Sequence, residues 1–248
     1  MEFYDQWAEY YDSMTRFSER MLAEKNILAQ WQQKLVCRQV VDAGCGTGLH
    51  AVGLALLGMT VTAIDPAEKM LEKAALQAKA YGVTIHFAGV PMQKLQRVVA
   101  PSSQDAVFSL GNTLPHLLTT RAVASSLRQI HRCLKPGGAF VLQVLNYDTI
   151  LQQQERIINV TREKDLRFVR FYDFLKSRLR FNILISDERV QPATHRLFST
   201  VLYPYRKKQL HTLLRQAGFG TREEYGTLAM SPYTSSSPNL VICARKRG

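Results

Sequence analysis

A chain of 248 residues that is 46% hydrophobic and 21% charged can bury a sizeable core, which excludes a disordered polymer. Its formal charge of +12 is uneven, since residues 1–150 hold 14 Lys or Arg against 12 Asp or Glu and residues 151–248 hold 18 against 8. No apolar run approaches the roughly 20 residues of a membrane-spanning helix, and the acidic, aromatic start Met1-Glu2-Phe3-Tyr4-Asp5 is neither a secretory signal nor an Arg-rich transit peptide, so a cytoplasmic protein is expected.

In chain order, residues 17 to 35 read as a helix, with Met21, Leu22, Ile27, Leu28, Trp31 and Leu35 near helical spacing. Short apolar runs then alternate with helical stretches. Gln39 to Ala43 is a strand, Leu49 to Leu57 a helix, and Thr60 to Ile64 a second strand. Pro66 opens and Gly82 closes a helix from Ala67 to Tyr81. Val83 to Ala88 and Asp105 to Leu110 are the third and fourth strands. An amphipathic helix from Thr119 to Leu134 stops at Lys135-Pro136-Gly137-Gly138, and Ala139 to Leu145 is a fifth, nearly all-apolar strand. Such alternation predicts an α/β fold, a Rossmann-like parallel sheet with helices on both faces.

Beyond residue 150 the pattern changes. Leu166 to Phe174, Arg178 to Ile185 and His195 to Tyr203 alternate with period two, which predicts three antiparallel strands inserted before a last helix, Lys207 to Ala217. Two strands follow, near Gly220 to Gly226 and Asn239 to Ala244. The expected division is an N-terminal helical segment over residues 1–38, a core over 39–150 and 204–248, and an inserted lid over 151–203. The cysteines at 37, 45, 133 and 243 are scattered, with no Cys-x-x-Cys pair, so free buried thiols are expected and no metal centre.

The segment with most chemistry is Asp42-Ala43-Gly44-Cys45-Gly46-Thr47-Gly48, which leaves a buried strand and enters a helix. Its glycines let a ligand lie against bare backbone, and Asp65, ending the second strand, can accept both hydroxyls of a ribose. Gly46-x-Gly48-x-x-Ala51 also satisfies the loose dinucleotide fingerprint. Taken whole, however, Asp42-x-Gly44-x-Gly46-x-Gly48 resembles motif I of the class I methyltransferases. Leu134-Lys135-Pro136-Gly137-Gly138 and Leu213-Leu214-Arg215-Gln216-Ala217-Gly218-Phe219 are also typical of that family. The resemblance runs from about Tyr4 to Lys246 and implies a seven-stranded sheet and S-adenosyl-L-methionine as cofactor. It implies cofactor contacts from the loop residues Asp42, Gly44, Cys45, Gly46 and Gly48, and from Asp65, Pro66 and Met70. Many relatives carry Asp after the Gly ending the third strand. Here that stretch is Ala88-Gly89-Val90-Pro91-Met92, so Val90 and Met92 are expected to hold adenine by apolar contact.

Two further segments, Leu110-Gly111-Asn112-Thr113-Leu114-Pro115-His116 and Asn146-Tyr147-Asp148, lie at carboxyl ends of strands, where open α/β folds bind ligands. Both look like the corresponding stretches of glycine and sarcosine N-methyltransferases. That likeness implies that Leu110, Gly111 and Asn112 flank the cofactor, that Arg20 meets its carboxylate, and that Tyr11 of the opening helix touches it. A small-molecule acceptor follows, with N-methylation favoured, by in-line attack on the sulfonium methyl. His116 is the candidate for orientation or proton removal, or else packs against the adenine edge. Tyr147 either presents its hydroxyl to the acceptor or packs. The group's Arg for the acceptor carboxylate is replaced by Leu145, so the acceptor carries less charge or is paired by an Arg of the lid.

Two competing readings stand beside this one. The stretch Arg162, Lys164, Arg167, Arg170, Lys176, Arg178 and Arg180, interleaved with Phe168, Phe171, Tyr172, Phe174 and Phe181, would suit a nucleic-acid methyltransferase. Period two buries those aromatics on one face, which disfavours it. A non-catalytic cofactor-binding protein is the other. No membrane partner is expected, and the sequence leaves the oligomeric state open.

Overall fold

A computed structural model describes residues 2–247. Two helices open the chain, α1 (Glu2–Thr15), which kinks at Trp7, and α2 (Phe17–Leu35), joined through Arg16 in the left-handed region at φ 52°. The alternating half follows as β1 (Gln39–Ala43), α3 (Leu49–Leu56), β2 (Thr60–Ile64), α4 (Glu68–Ala80), β3 (His86–Ala88), β4 (Gln104–Ser109), α5 (Thr120–Cys133) and β5 (Leu134–Leu145). Then come α6 (Tyr147–Gln153), β6 (Ile157–Glu163), β7 (Leu166–Phe174), β8 (Leu179–Asp187), β9 (Thr194–Leu202), α7 (Lys207–Gln216), β10 (Phe219–Tyr225) and β11 (Asn239–Lys246).

Seven strands form one sheet in the order β10-β11-β5-β4-β1-β2-β3. Pairing is parallel through β3, β2, β1, β4 and β5, while β11 runs antiparallel to both β5 and β10. Successive residues of a strand serve opposite faces. Val41 and Val107 join Val123, Leu127 and Ile130 of α5 and Leu210 and Leu214 of α7 on one side. Val40, Ala106 and Phe108 join Leu28 and Trp31 of α2 and Ala51 and Leu54 of α3 on the other. Full burial of each such side chain contributes roughly 1.5–3 kcal/mol, so both helical layers are held by the apolar faces of the strands. All four cysteines are free and buried. No helix among the described residues is long and apolar enough to cross a membrane.

Three expectations need correction. The lid has four strands rather than three, in the order β6-β7-β8-β9, and it is antiparallel throughout. Its additional strand, β6, is an edge whose Ile157 and Val160 are 57% and 59% exposed, and whose register shifts between Ile157 and Asn159, so no clean period of two marks it. The Lys135-Pro136-Gly137-Gly138 segment is taken into β5, because Leu134 already pairs with Gln104 of β4. The third strand is only three residues long, and residues 83–85 lie outside it.

Buried Trp7 and Tyr10 of α1 pack against Leu166, Phe168, Ile183 and Ile185 of the lid, while Ala8 packs on Ala67, which caps α4, and on Met70 of α4. The helix is thereby clamped between lid and core, above the carboxyl ends of the parallel strands.

Candidate active site

At those carboxyl ends lies a cavity of about 480 Å³, walled by the loops after β1, β2, β3 and β4, by α1 and α2, and by the inner face of the lid. The loop after β1 approaches the loop after β4 closely. At Gly44, φ is 86°, and a Cβ built there would stand 2.2 Å from Thr113 Cγ2, so both the backbone angle and the space require glycine. The Thr113 hydroxyl donates to the Leu110 carbonyl at 2.9 Å and sits 3.3 Å from the Gly44 carbonyl, tying the two loops together. At Gly48 a Cβ would meet Ala74 Cβ at 3.0 Å, so this glycine lets α3 pack closely on α4 and does not line the cavity.

Asp65 is 9% exposed and lines the cavity. Its Oδ2 accepts from Gly46 N at 3.0 Å and its Oδ1 from Ala67 N at 2.9 Å. Burial raises its pKa, and the two backbone N–H groups oppose that rise. Each oxygen keeps a second lone pair for a ligand hydroxyl. Asp42 lies beneath the loop at 1% exposure, with Oδ2 unpartnered, and burial pushes its pKa up to about 6. It does not reach the cavity surface.

Of the other expected residues, Tyr11, Arg20, Cys45, Gly46, Pro66, Met70, Val90, Met92, Leu110, Gly111, Asn112 and His116 all line the cavity. Arg20 Nη2 donates to Glu24 Oε1 at 2.6 Å, and Glu24 faces His50 Nε2 at 3.6 Å. Despite burial, His50 and Arg20 hold the Glu24 carboxyl down at about 2. His116 Nε2 meets the Tyr4 hydroxyl at 2.8 Å, and burial lowers its pKa to about 4, so the ring is neutral at physiological pH. Tyr147 is 1% exposed and stands behind the wall. Its hydroxyl is 2.9 Å from Asn112 Nδ2, a contact that orients the Asn112 amide. Asn146 caps α6 and donates to the Ser235 and Ser237 carbonyls, fixing the loop before β11.

Sequence reasoning did not single out as site residues Trp7 and Met14 of α1, or Ile158, Tyr172, Phe181 and Leu202 of the lid, all of which line the cavity. Arg170 also lines it and had been noted only within a basic stretch. The inward period of β7 was the one available signal, because Phe168, Arg170 and Tyr172 share a face.

Residues fit S-adenosylmethionine on three observations. A Cβ at Gly46 would have only the Tyr11 hydroxyl within 4 Å, at 3.8 Å, so bare backbone faces open space. Asp65 keeps acceptor capacity beside it. The wall after β3 and β4 offers apolar surface from Val90, Met92 and Leu110.

Residues 40–138 match the methyltransferase-domain family. A glycine/sarcosine N-methyltransferase of Halorhodospira halochloris is 29% identical over 150 residues, which is 60% of this chain and 56% of that one. Another of Aphanothece halophytica is 24% identical over 254 residues, covering 99% and 90% of the two chains. The chain thus spans a little over half of the first relative's length and nine-tenths of the second's. A crystal structure of an S-adenosylmethionine-dependent methyltransferase from Clostridium acetobutylicum superposes with a TM-score of 0.83 at 12% identity, covering 99% of both chains.

Proposed function

We propose that this chain, an S-adenosylmethionine-dependent methyltransferase by domain and fold, methylates the nitrogen of a small amine held between its core and its lid. When bound, the cofactor supplies a methyl group on a sulfonium, which needs only a lone pair to receive it. One observation carries the choice of nitrogen. Asp65 is the only carboxylate among the described residues lining the cavity, and both its oxygens already accept backbone N–H bonds.

On the acceptor side, neither His116 nor the tyrosines beside it give a base near neutral pH. Burial holds His116 at about 4, too acidic to take a proton effectively at pH 7, and pushes Tyr11 up to about 12 and Tyr4 well above its ordinary value. A phenol or carboxamide acceptor needs deprotonation before attack, whereas a free amine does not. Arg170, with no lining carboxylate among the described residues other than the already hydrogen-bonded Asp65, also disfavours an ammonium, so the cavity favours the neutral, attacking form of an amine.

In this reading Asp65 and the bare backbone of Gly44 and Gly46 hold the nucleoside and the methionine end. Arg20, aimed by Glu24, meets the methionine carboxylate. Neutral His116, fixed by Tyr4, and Asn112, fixed by Tyr147, orient the acceptor beside it. The segment of residues 1–38 together with the lid, residues 151–203, covers the core formed by 39–150 and 204–248 and keeps water out. The nucleic-acid alternative is less favoured, since two of its five aromatics, Phe168 and Tyr172, are 0% and 3% exposed and pack inward.

The test is a panel of small primary and secondary amines set against phenols and carboxylic acids, with S-adenosylhomocysteine release as the readout. Amines alone are expected to turn over. Methylation of phenols or acids with no amine turned over would overturn the assignment.

A further inference from the structure

The lid side of the cavity holds a cation with no acidic partner. Arg170 is half-buried on the inner face of β7, flanked by Phe168 and Tyr172 and opposite Ile183 of β8. Its Nε donates to Asn159 Oδ1 of β6 at 2.7 Å. Among the described residues no carboxylate lies within ion-pair distance of it. Other lid arginines do have partners, for Arg162 and Arg167 both reach Glu188 and Arg156 reaches Asp173. Arg20, the other arginine of the cavity, is neutralised by Glu24. Burial lowers the Arg170 pKa, and nearby Arg20 lowers it further.

A guanidinium drawn out of water without an acid beside it is costly, and its planar fork suits a carboxylate. The lid side of the cavity wall is otherwise apolar and aromatic, with Ile158, Tyr172, Phe181 and Leu202. We infer that Arg170 anchors a carboxylate on the methyl acceptor, and that this acceptor is an amine with an apolar or aromatic body rather than a bare amino acid such as glycine. One uncompensated positive charge matches one negative charge, which favours a carboxylate over a phosphate dianion. The inference rests on the proposed function, because it assigns the lid side of the same cavity to the acceptor.

Calorimetry on the full chain saturated with S-adenosylhomocysteine tests it, using phenylacetate and its neutral analogue phenylacetamide as probes. Phenylacetate is expected to bind at least ten times more tightly than phenylacetamide. Arg170→Met should bring that ratio close to one while S-adenosylhomocysteine affinity stays unchanged, and Arg170→Lys should keep part of the preference. Equal binding of the two probes by the unaltered protein would overturn the inference. So would a tenfold loss of S-adenosylhomocysteine affinity in Arg170→Met, which would place this arginine at the cofactor carboxylate. These readouts need no turnover, so they stand apart from the amine and phenol panel. Failure of that panel removes the N-methylation reading, whereas failure here removes only the anchor.

Discussion

Asp65 shows how one side chain joins fold and ligand. Its two backbone hydrogen bonds hold the loop after β1 against the turn after β2, and its remaining lone pairs face the cavity. Asp65→Ala is expected to weaken S-adenosylmethionine binding at least tenfold, about 1.4 kcal/mol, by calorimetry, with Asp65→Asn intermediate. Unchanged affinity in Asp65→Ala would remove this carboxylate from the site. Its place was legible because it depends on local grammar, an acid at the end of a strand, followed by Pro66 and a helix. Asp42 and Tyr147 were less legible. Both occur in recognisable motifs, yet the fold sets Asp42 under the loop and Tyr147 behind Asn112, a depth that sequence spacing does not encode.

At the scale of elements, α1 is the piece whose packing decides whether the cavity is closed. Trp7 is 1% exposed against the lid cluster, and its Nε1 finds no partner. Trp7→Ala is expected to cost about 3–5 kcal/mol of local stability, read as faster hydrogen exchange in residues 2–15 with a smaller change elsewhere. Trp7→Phe should cost less than Trp7→Ala, because it leaves a smaller void and forfeits no hydrogen bond. A uniform loss of protection across the sheet would show instead that α1 belongs to the global folding unit. Element recognition followed the strength of periodicity. Gln39–Ala43 and Leu166–Phe174 came out with their observed bounds, since each is a short run ended by a turn. By contrast β6 was missed, as its apolar residues sit exposed on an edge, and Arg170 reached the site only through pairing with β6 and β8.

Across the whole molecule, the excess positive charge lies after residue 150. The lid sorts its residues by side. Arg162, Arg167 and Arg180 point outward and are exposed, while Phe168 and Tyr172 turn inward. The inner face of the lid is therefore mostly apolar, with Arg170 as its charged exception, and the pH dependence expected of the acceptor side follows from His116 and Tyr11. His116 titrates near 4 and Tyr11 near 12, so neither changes charge between pH 6 and 9. His116 has a folded pKa below its unfolded value of about 6.5. It therefore favours unfolding progressively as pH falls from 6.5 towards 4, and contributes nothing to that balance above 6.5.

The central claim, an acceptor site that supplies no base, is met most directly by the pH profile of kcat/KM for two amine acceptors of different basicity. Between pH 6 and 9 the rising limb should follow each acceptor's own pKa and move when the acceptor is exchanged. A limb that stays at one pH for both acceptors would reveal a titrating group of the protein and contradict the account.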